Sequence, residues 1–246
     1  MNFLVCISKV PDTTTKINFA NDNTEFDTNG VNYIVNPYDE WYALVRALEL
    51  KEAAGGSVTI LNVGPPENDA IIRKALAIGA DNAVRVNLDP QDAFQIAGEI
   101  ANYAKTDSFD VIFFGKETID YNGSIVPGLV AEMLDLPYVS YASKLEMNGN
   151  AATIERDIIG GSEINEVDTP FVVSAMKGMA EQRIPNMRGI MQARSKPLTV
   201  LEPSGAASKT KVKEFEKPED KGSCHYIDAE NAAELWNLLK NEAKVL

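Results

Sequence analysis

The stretch DVIFFGKETIDYNGSIVPGLVAEMLDLP, residues 110–137, decides the fold. Val111, Ile112, Phe113 and Phe114 form an unbroken apolar run, the pattern of a parallel strand buried on both faces. The run stops at Gly115-Lys116, and a polar loop follows over residues 117–124. Val126, Leu129, Val130, Met133 and Leu134 then recur at helical spacing, with Pro127 in the first turn, where a missing N–H costs nothing. Strand, polar loop and helix N-terminus therefore follow in order. In open α/β sheets ligands bind outside the carboxyl ends of strands, and free amides with the helix dipole favour an anion such as phosphate there. Spacing alone favours an ordinary strand-to-helix connection; the loop's length and its polar residues pull toward a ligand.

Upstream, residues 3–7 read as the first strand and residues 9–12 as a turn out of it. Residues 21–30 are Asn/Asp-rich and read as a surface hairpin or loop, and residues 31–35 as a short strand. Asn36 is placed to cap a helix, with Pro37 at its first position and Asp39 and Glu40 in its first turn. Trp41, Leu44, Val45 and Leu48 give that helix one apolar face, and Gly55-Gly56 ends it. Strands over 58–63 and 83–86 alternate with helices over 68–78 and 89–103, the last packing through Phe94, Ile96, Ala97 and Ile100. This order predicts an open, mostly parallel sheet with helices on both faces and right-handed crossovers.

The totals exclude several classes. Acidic residues outnumber basic ones 36 to 23, a net charge of -13, opposite in sign to a sequence-independent nucleic-acid binder. No apolar run is long enough for a membrane span, so no direct membrane insertion is expected. The first strand is read as beginning at once, so no signal peptide or transit segment is expected. Cys6 and Cys224 are far apart, which points to a reducing compartment. His225 is the single histidine, and no metal site is expected. No G-x-G-x-x-G follows the first strand, and there is no Walker A sequence.

Beyond Pro137 the pattern changes. Residues 139–147 and 152–158 read as a hairpin across Asn148-Gly149, placed at one sheet edge, and Gly160-Gly161 breaks the run. Residues 171–173 are another buried strand. Residues 174–196 carry Met176, Met179, Met187 and Met191 among Arg183, Arg188, Arg194 and Lys196, with Ile184-Pro185 as an apolar point on no helical face. A docking surface and a helix with a solvated basic side fit this equally well. Residues 203–222 read as an extended arm. Asp228 is placed to cap a last helix whose buried face is Ala232, Leu235, Trp236, Leu239 and Ala243.

Along its whole length the chain resembles the β subunit of electron-transfer flavoproteins. VCISKVPD at 5–12 and VNPYDEWYALVRALELKE at 35–52 resemble the family's N-terminal block, and IRKALAIGADNAVRV at 72–86 its second helix and next strand. IERDIIGGSEINEVDTPFVVSA at 154–175 is close to the family signature, and RIPNMRGIMQARSKP at 183–197 to its docking loop.

The resemblance implies an adenine-nucleotide α-hydrolase-like α/β domain over residues 1–202, including a docking loop over 176–197. Residues 203–246 would pack on a partner. That partner is a larger α subunit, with which FAD is shared; AMP is held in the β subunit itself, or a second FAD in bifurcating members. Electrons come from acyl-CoA dehydrogenases or similar donors and leave to a quinone reductase or another acceptor, with no catalytic side chain in β. A cytoplasmic bacterial protein is implied. The family's nucleotide contacts fall on Cys6, on Asn36, Pro37, Tyr38 and Asp39, and on Val63. They continue through Gly115, Lys116, Glu117, Thr118, Ile119, Asp120, Tyr121, Asn122, Gly123, Ser124, Ile125 and Val126. Tyr38 falls where an aromatic faces the shared FAD. Ile184, with Arg183, Pro185 and Met187 around it, falls on the anchor for donor enzymes, which decides the open reading of that patch.

The chain departs from the family at Asn122, Gly123 and Ile125, where Asp, Thr and Gln are common, leaving Ser124 and loop amides as donors. Ser8 replaces a common Lys, Ile159 an acidic residue and Asn165 an aliphatic one. The rival readings are a stand-alone adenine-nucleotide hydrolase and a nucleotide-sensing domain. The hydrolase needs a pyrophosphate motif after the first strand that Cys6-Ile7-Ser8-Lys9 does not supply.

Overall fold

Alternation sets the pattern from the first strand. In Asn2–Cys6 (β1), Phe3 and Val5 join one buried cluster and Leu4 and Cys6 the other, so both faces of the sheet are covered. The computed structural model describes residues 1–246. Lys9–Pro11 (β2) is a strand where a turn was expected, because Tyr33–Val35 (β5) returns antiparallel beside it. Between them Phe19–Ala20 (β3) and Glu25–Phe26 (β4) form the small Asn-rich hairpin. Then follow Asp39–Ala54 (α1), Ser57–Gly64 (β6), Asp69–Ile78 (α2), Asn82–Asn87 (β7), Ala93–Ala104 (α3) and Val111–Gly115 (β8). Helix α3 starts four residues later than the spacing suggested, because Asp92, not Asp89, caps it by accepting from the Gln95 amide. Phe94 is only half-buried, whereas Ala97 and Ile100 are in the core.

Val126–Leu134 (α4) leads into Tyr138–Asn148 (β9), Ala151–Ile158 (β10), Gly161–Asp168 (β11) and Phe171–Ala175 (β12). Met187–Ala193 (α5), Leu198–Leu201 (β13) and Ala232–Asn237 (α6) complete the chain. The sheet has nine strands in the order β11-β10-β9-β12-β8-β1-β6-β7-β13. All pairs from β9 to β13 are parallel, and β9-β10 and β10-β11 are antiparallel. The edge hairpin is thus a three-stranded meander: Gly160-Gly161 turns the chain into β11 instead of breaking it. Strand β13, at the opposite edge, is a further addition to the expected pattern.

Helices α1 and α2 pack on one face and α3 and α4 on the other. Phe3, Phe113 and Phe171, from neighbouring strands, are fully buried, each worth about 1.5–3 kcal/mol of transfer from water. Residues 174–196 are helical only in α5. Two local expectations fail. The last helix is capped by Asn231, since the Asp228 carboxylate instead takes the Glu230 amide in a turn. None of its residues is buried; Leu235 and Trp236 are 47% and 55% exposed. No helix is long and apolar enough to cross a membrane.

Candidate functional site

From β1 the chain builds outward through β6 to β7, then crosses back to place β8 on the other side of β1. The carboxyl ends of β1 and β8 therefore flank the point where strand order reverses, the crevice that open α/β sheets use for ligands. Cys6 ends β1 and Gly115 ends β8, while Val63 lies one residue before the end of neighbouring β6. All three are buried.

Asn36 ties the other segments to this edge. Sequence placed it as a helix cap, but α1 starts three residues later with Tyr38 as its N-cap and no capping side chain. The Asn36 amide is fully buried and bonds across the crevice instead. Its Nδ2 donates to the Glu117 carbonyl at 3.0 Å, and its Oδ1 accepts from the Ile119 amide at 3.0 Å. A carboxamide can serve a backbone carbonyl and a backbone amide together, so Asn36 fixes the start of the loop that follows β8. Residues 36–39 and 115–126 are thereby brought together, with Pro37 between Asn36 and Tyr38. Tyr38 has φ 65°, a left-handed conformation rare for an aromatic residue, and its side chain is exposed.

Gly115 is required by this packing. A Cβ there would lie 2.8 Å from both the Glu40 amide nitrogen and its Cγ, where α1 crosses the strand end. Beyond Gly115, Lys116 pairs with Glu117 at 3.2 Å, and Ser124 Oγ donates to the other Glu117 oxygen at 3.2 Å. Thr118 and Ile119 are half-buried. Asp120, Tyr121, Asn122 and Gly123 are exposed, with Asn122 and Ser124 at positive φ. Ile125 is the N-cap of α4 and Val126 its first residue.

The helix starts beside the crevice differ from others in their capping. Helices α3, α5 and α6 carry side-chain caps from Asp92, Asn186 and Asn231. Helix α3, at the carboxyl end of β7, is thus capped, and α2 continues from a turn over Pro66–Asn68 whose Pro66 carbonyl takes the Asp69 amide, but α1 and α4, beside the crevice, have no side-chain cap. Their first amides keep donor capacity and the positive end of the helix dipole.

Sequence reasoning passed over Glu40 as a site residue. It is buried, and its Oε2 accepts the Ser8 amide at 2.6 Å. Burial pushes its carboxyl up to about 8, opposed by the Ser8 bonds and reinforced by Asp120 and Asp39. Burial likewise raises Asp39 to about 6, against the pull of Lys116. Burial, and then Glu40, push the Cys6 thiol well up. The raised carboxyl favours the neutral form of Glu40, which lessens negative charge beside the crevice. Its signal in sequence was a Glu directly before the apolar face of α1.

The residues expected to dock a partner lie elsewhere, beyond the flank of α1. Ile184 is 83% exposed, Met187 is exposed, and Arg183 and Pro185 are half-buried. Met179 is a core residue and Met191 is exposed. The start of the C-terminal arm is laid along α3. The buried Glu99 carboxylate accepts from Ser204 and Ala206 amides, and Asp92 from those of Lys209 and Thr210. Farther on, Phe215 stacks on Phe19 with ring centroids 4.9 Å apart.

The electron transfer flavoprotein domain profile matches residues 24–206. The chain is similar to the electron transfer flavoprotein subunit beta of Bacillus subtilis (strain 168), 38% identical with 100% of each chain covered. It is 32% identical to the human protein of the same name, over 82% of each chain. It is also 32% identical to the acryloyl-CoA reductase electron transfer subunit gamma of Anaerotignum propionicum, over 82% of this chain and 78% of that one.

Proposed function

This chain belongs to the electron transfer flavoprotein family, on its β-subunit side, and from that premise we propose that it is one half of a heterodimer that carries electrons between enzymes. The partner is an α subunit, with which FAD is shared. An adenine nucleotide, AMP, sits at the carboxyl edge of the sheet. The observation that carries the nucleotide reading is the switch point between β1 and β8, bordered by helix starts without side-chain caps. The residues fit a phosphate-bearing ligand: the α4 amides and exposed loop 120–123 offer donors, and the neutral form of Glu40 lessens negative charge beside the crevice. Ser124 Oγ is already engaged with Glu117, so backbone amides take most of the phosphate. Cys6, Val63 and residues 36–39 form the rest of the pocket. Tyr38, exposed at the N-cap of α1, faces the shared flavin. FAD supplies the redox step when bound; the side chains of this chain hold, orient and shield.

Ile184 is the anchor for an electron donor of the acyl-CoA dehydrogenase type, flanked by Arg183, Pro185 and Met187, and a quinone reductase or another protein receives the electrons. The name of the Anaerotignum propionicum relative, an acryloyl-CoA reductase electron transfer subunit, supports a partner enzyme that works on an acyl-CoA. Residues 1–202 form the nucleotide domain and residues 203–246 an arm ending on the α subunit. The exposed Leu235 and Trp236 support that placement, since so short a helix does not hold its shape unpacked. The complex works in the bacterial cytoplasm.

The test is co-expression with an α-type subunit, then denaturation and identification of every released nucleotide. A yellow complex releasing FAD and AMP in equal amounts is expected. Release of two FAD would replace AMP by a second flavin. A complex without flavin would overturn the proposal.

A further inference from the structure

Ile184 stands out from the surface, yet the residue before it is held at three points by one helix. The Arg183 guanidinium grips the Glu52 carboxylate through both oxygens, NH1 to Oε1 at 2.7 Å and NH2 to Oε2 at 3.1 Å. The Arg183 carbonyl accepts from Trp41 Nε1 at 3.1 Å. Trp41 and Glu52 lie near opposite ends of α1, so side chain and main chain of residue 183 are fixed independently. On the far side of Ile184, Pro185 has a fixed φ, and Asn186 caps α5 by accepting the Gly189 amide at 2.8 Å.

We propose that Trp41 and Glu52 are positioning residues for docking: they hold the arch of residues 183–186 so that Ile184 is presented in one conformation before the electron donor arrives. A free loop would lose its disorder on each encounter, and a clamped one has lost it already. A bidentate guanidinium–carboxylate pair suits this task, because it fixes orientation as well as distance. Helix α1 also begins at the nucleotide edge with Tyr38 and Asp39, so one rigid element carries both surfaces. The inference rests on the reading of Ile184 as the docking anchor.

The test uses the α/β complex with Trp41→Phe and Glu52→Gln, singly and together, beside Ile184→Ala. Each is assayed for reduction by an acyl-CoA dehydrogenase at varied complex concentration, and for tryptic cleavage after Arg183. The double variant is expected to raise the half-saturating concentration about two- to fivefold, the range of an exposed ion pair. Its limiting rate and flavin content should stay the same, and cleavage after Arg183 should quicken severalfold. Exchanging the pair, Glu52→Arg with Arg183→Glu, should recover the half-saturating concentration lost in each single change. Unchanged cleavage in the double variant overturns the inference, as does an exchange that recovers nothing. If Ile184→Ala weakens docking while the tether variants do not, positioning fails and the anchor reading survives. If Ile184→Ala leaves docking unchanged, the anchor reading fails, and cleavage still reports whether the tether holds the arch.

Discussion

Residues 176–197 and residues 203–217 both cross helices after leaving the sheet, and they differ in what holds them. Cations and an indole dominate the first segment, where even the Glu52 carboxylate works through the segment's own Arg183. Arg73 reaches the Ala193 and Lys196 carbonyls, Lys196 Nζ reaches the Leu76 and Ala80 carbonyls, and Trp41 reaches that of Arg183. The second is held by acceptors, the carboxylates of Asp92 and Glu99 taking backbone amides. Lys196 sits at the C-terminus of α2, where a cation meets unpaired carbonyls and the negative end of the dipole. The arm is strapped along α3, from Glu99 on its side to Asp92 at its N-cap. Arg and Lys clamps keep their charge across ordinary pH, whereas carboxylate clamps depend on being ionised. The two segments thus rest on different chemistry, and the first also sends Met179 and Ala193 into the core.

The largest effect is expected from deleting residues 218–246. The lone chain should unfold at the same temperature, because no residue of α6 is buried, whereas assembly with the α subunit should be lost. A lower unfolding temperature for the lone truncated chain would mean that the helix docks back on its own chain, and the contrast would collapse.

A second pair of substitutions compares the two supports directly. A Cβ on Gly189 would lie 2.2 Å from the Ala77 carbonyl oxygen, which belongs to the packed helix α2. Neither backbone can yield, so Gly189→Ala should cost about 1–3 kcal/mol by denaturant titration. A Cβ on Gly98 would lie 2.6 Å from Ala206 Cβ, which belongs to the strap. The strap can lift, so Gly98→Ala should lower global stability by less than about 1 kcal/mol while loosening residues 203–210. Equal losses in the two variants would show that the arm is as firmly built in as the docking segment.

These supports also mark where the sequence stops being legible. Buried parallel strands announce themselves by composition: β8 is apolar throughout and β12 opens with Phe171, Val172 and Val173, and the sheet with its two helical layers follows from them. Strand β11 was hidden because its inward side holds Glu163, Asn165 and Val167, so no apolar alternation shows. Asn36 misleads in a different way. Its local context is that of a helix cap, and its real partners are the Glu117 carbonyl and Ile119 amide, brought near only by the sheet. Glu99 and Asp92 likewise serve amides more than a hundred residues away. The loop after β8 was visible as a polar interruption; what holds it in place was not.

The smallest expected effect concerns acid. Burial works to raise the Glu99 carboxyl, but the amides of Ser204 and Ala206 outweigh it and hold the group below its ordinary 4.5. Burial also opposes ionisation of Asp92, and the amides of Gln95, Lys209 and Thr210 hold it below 3.8. A carboxylate with a depressed value in the folded state stabilises above its unfolded value and loses that contribution as pH falls through the folded one. The strap should therefore loosen below about pH 4.5, while the Arg73 and Lys196 clamps of the docking segment keep their charges. Cys224 is exposed and Cys6 is buried, so a thiol dye would mark the arm selectively. Its fluorescence anisotropy should fall modestly on acidification, and Glu99→Gln should start lower at neutral pH with a shallower slope, since Asp92 still holds the second half. An anisotropy that stays level through this range in both proteins would show that the carboxylates do not hold the arm, and that its path over α3 is set by the Phe19–Phe215 stack instead.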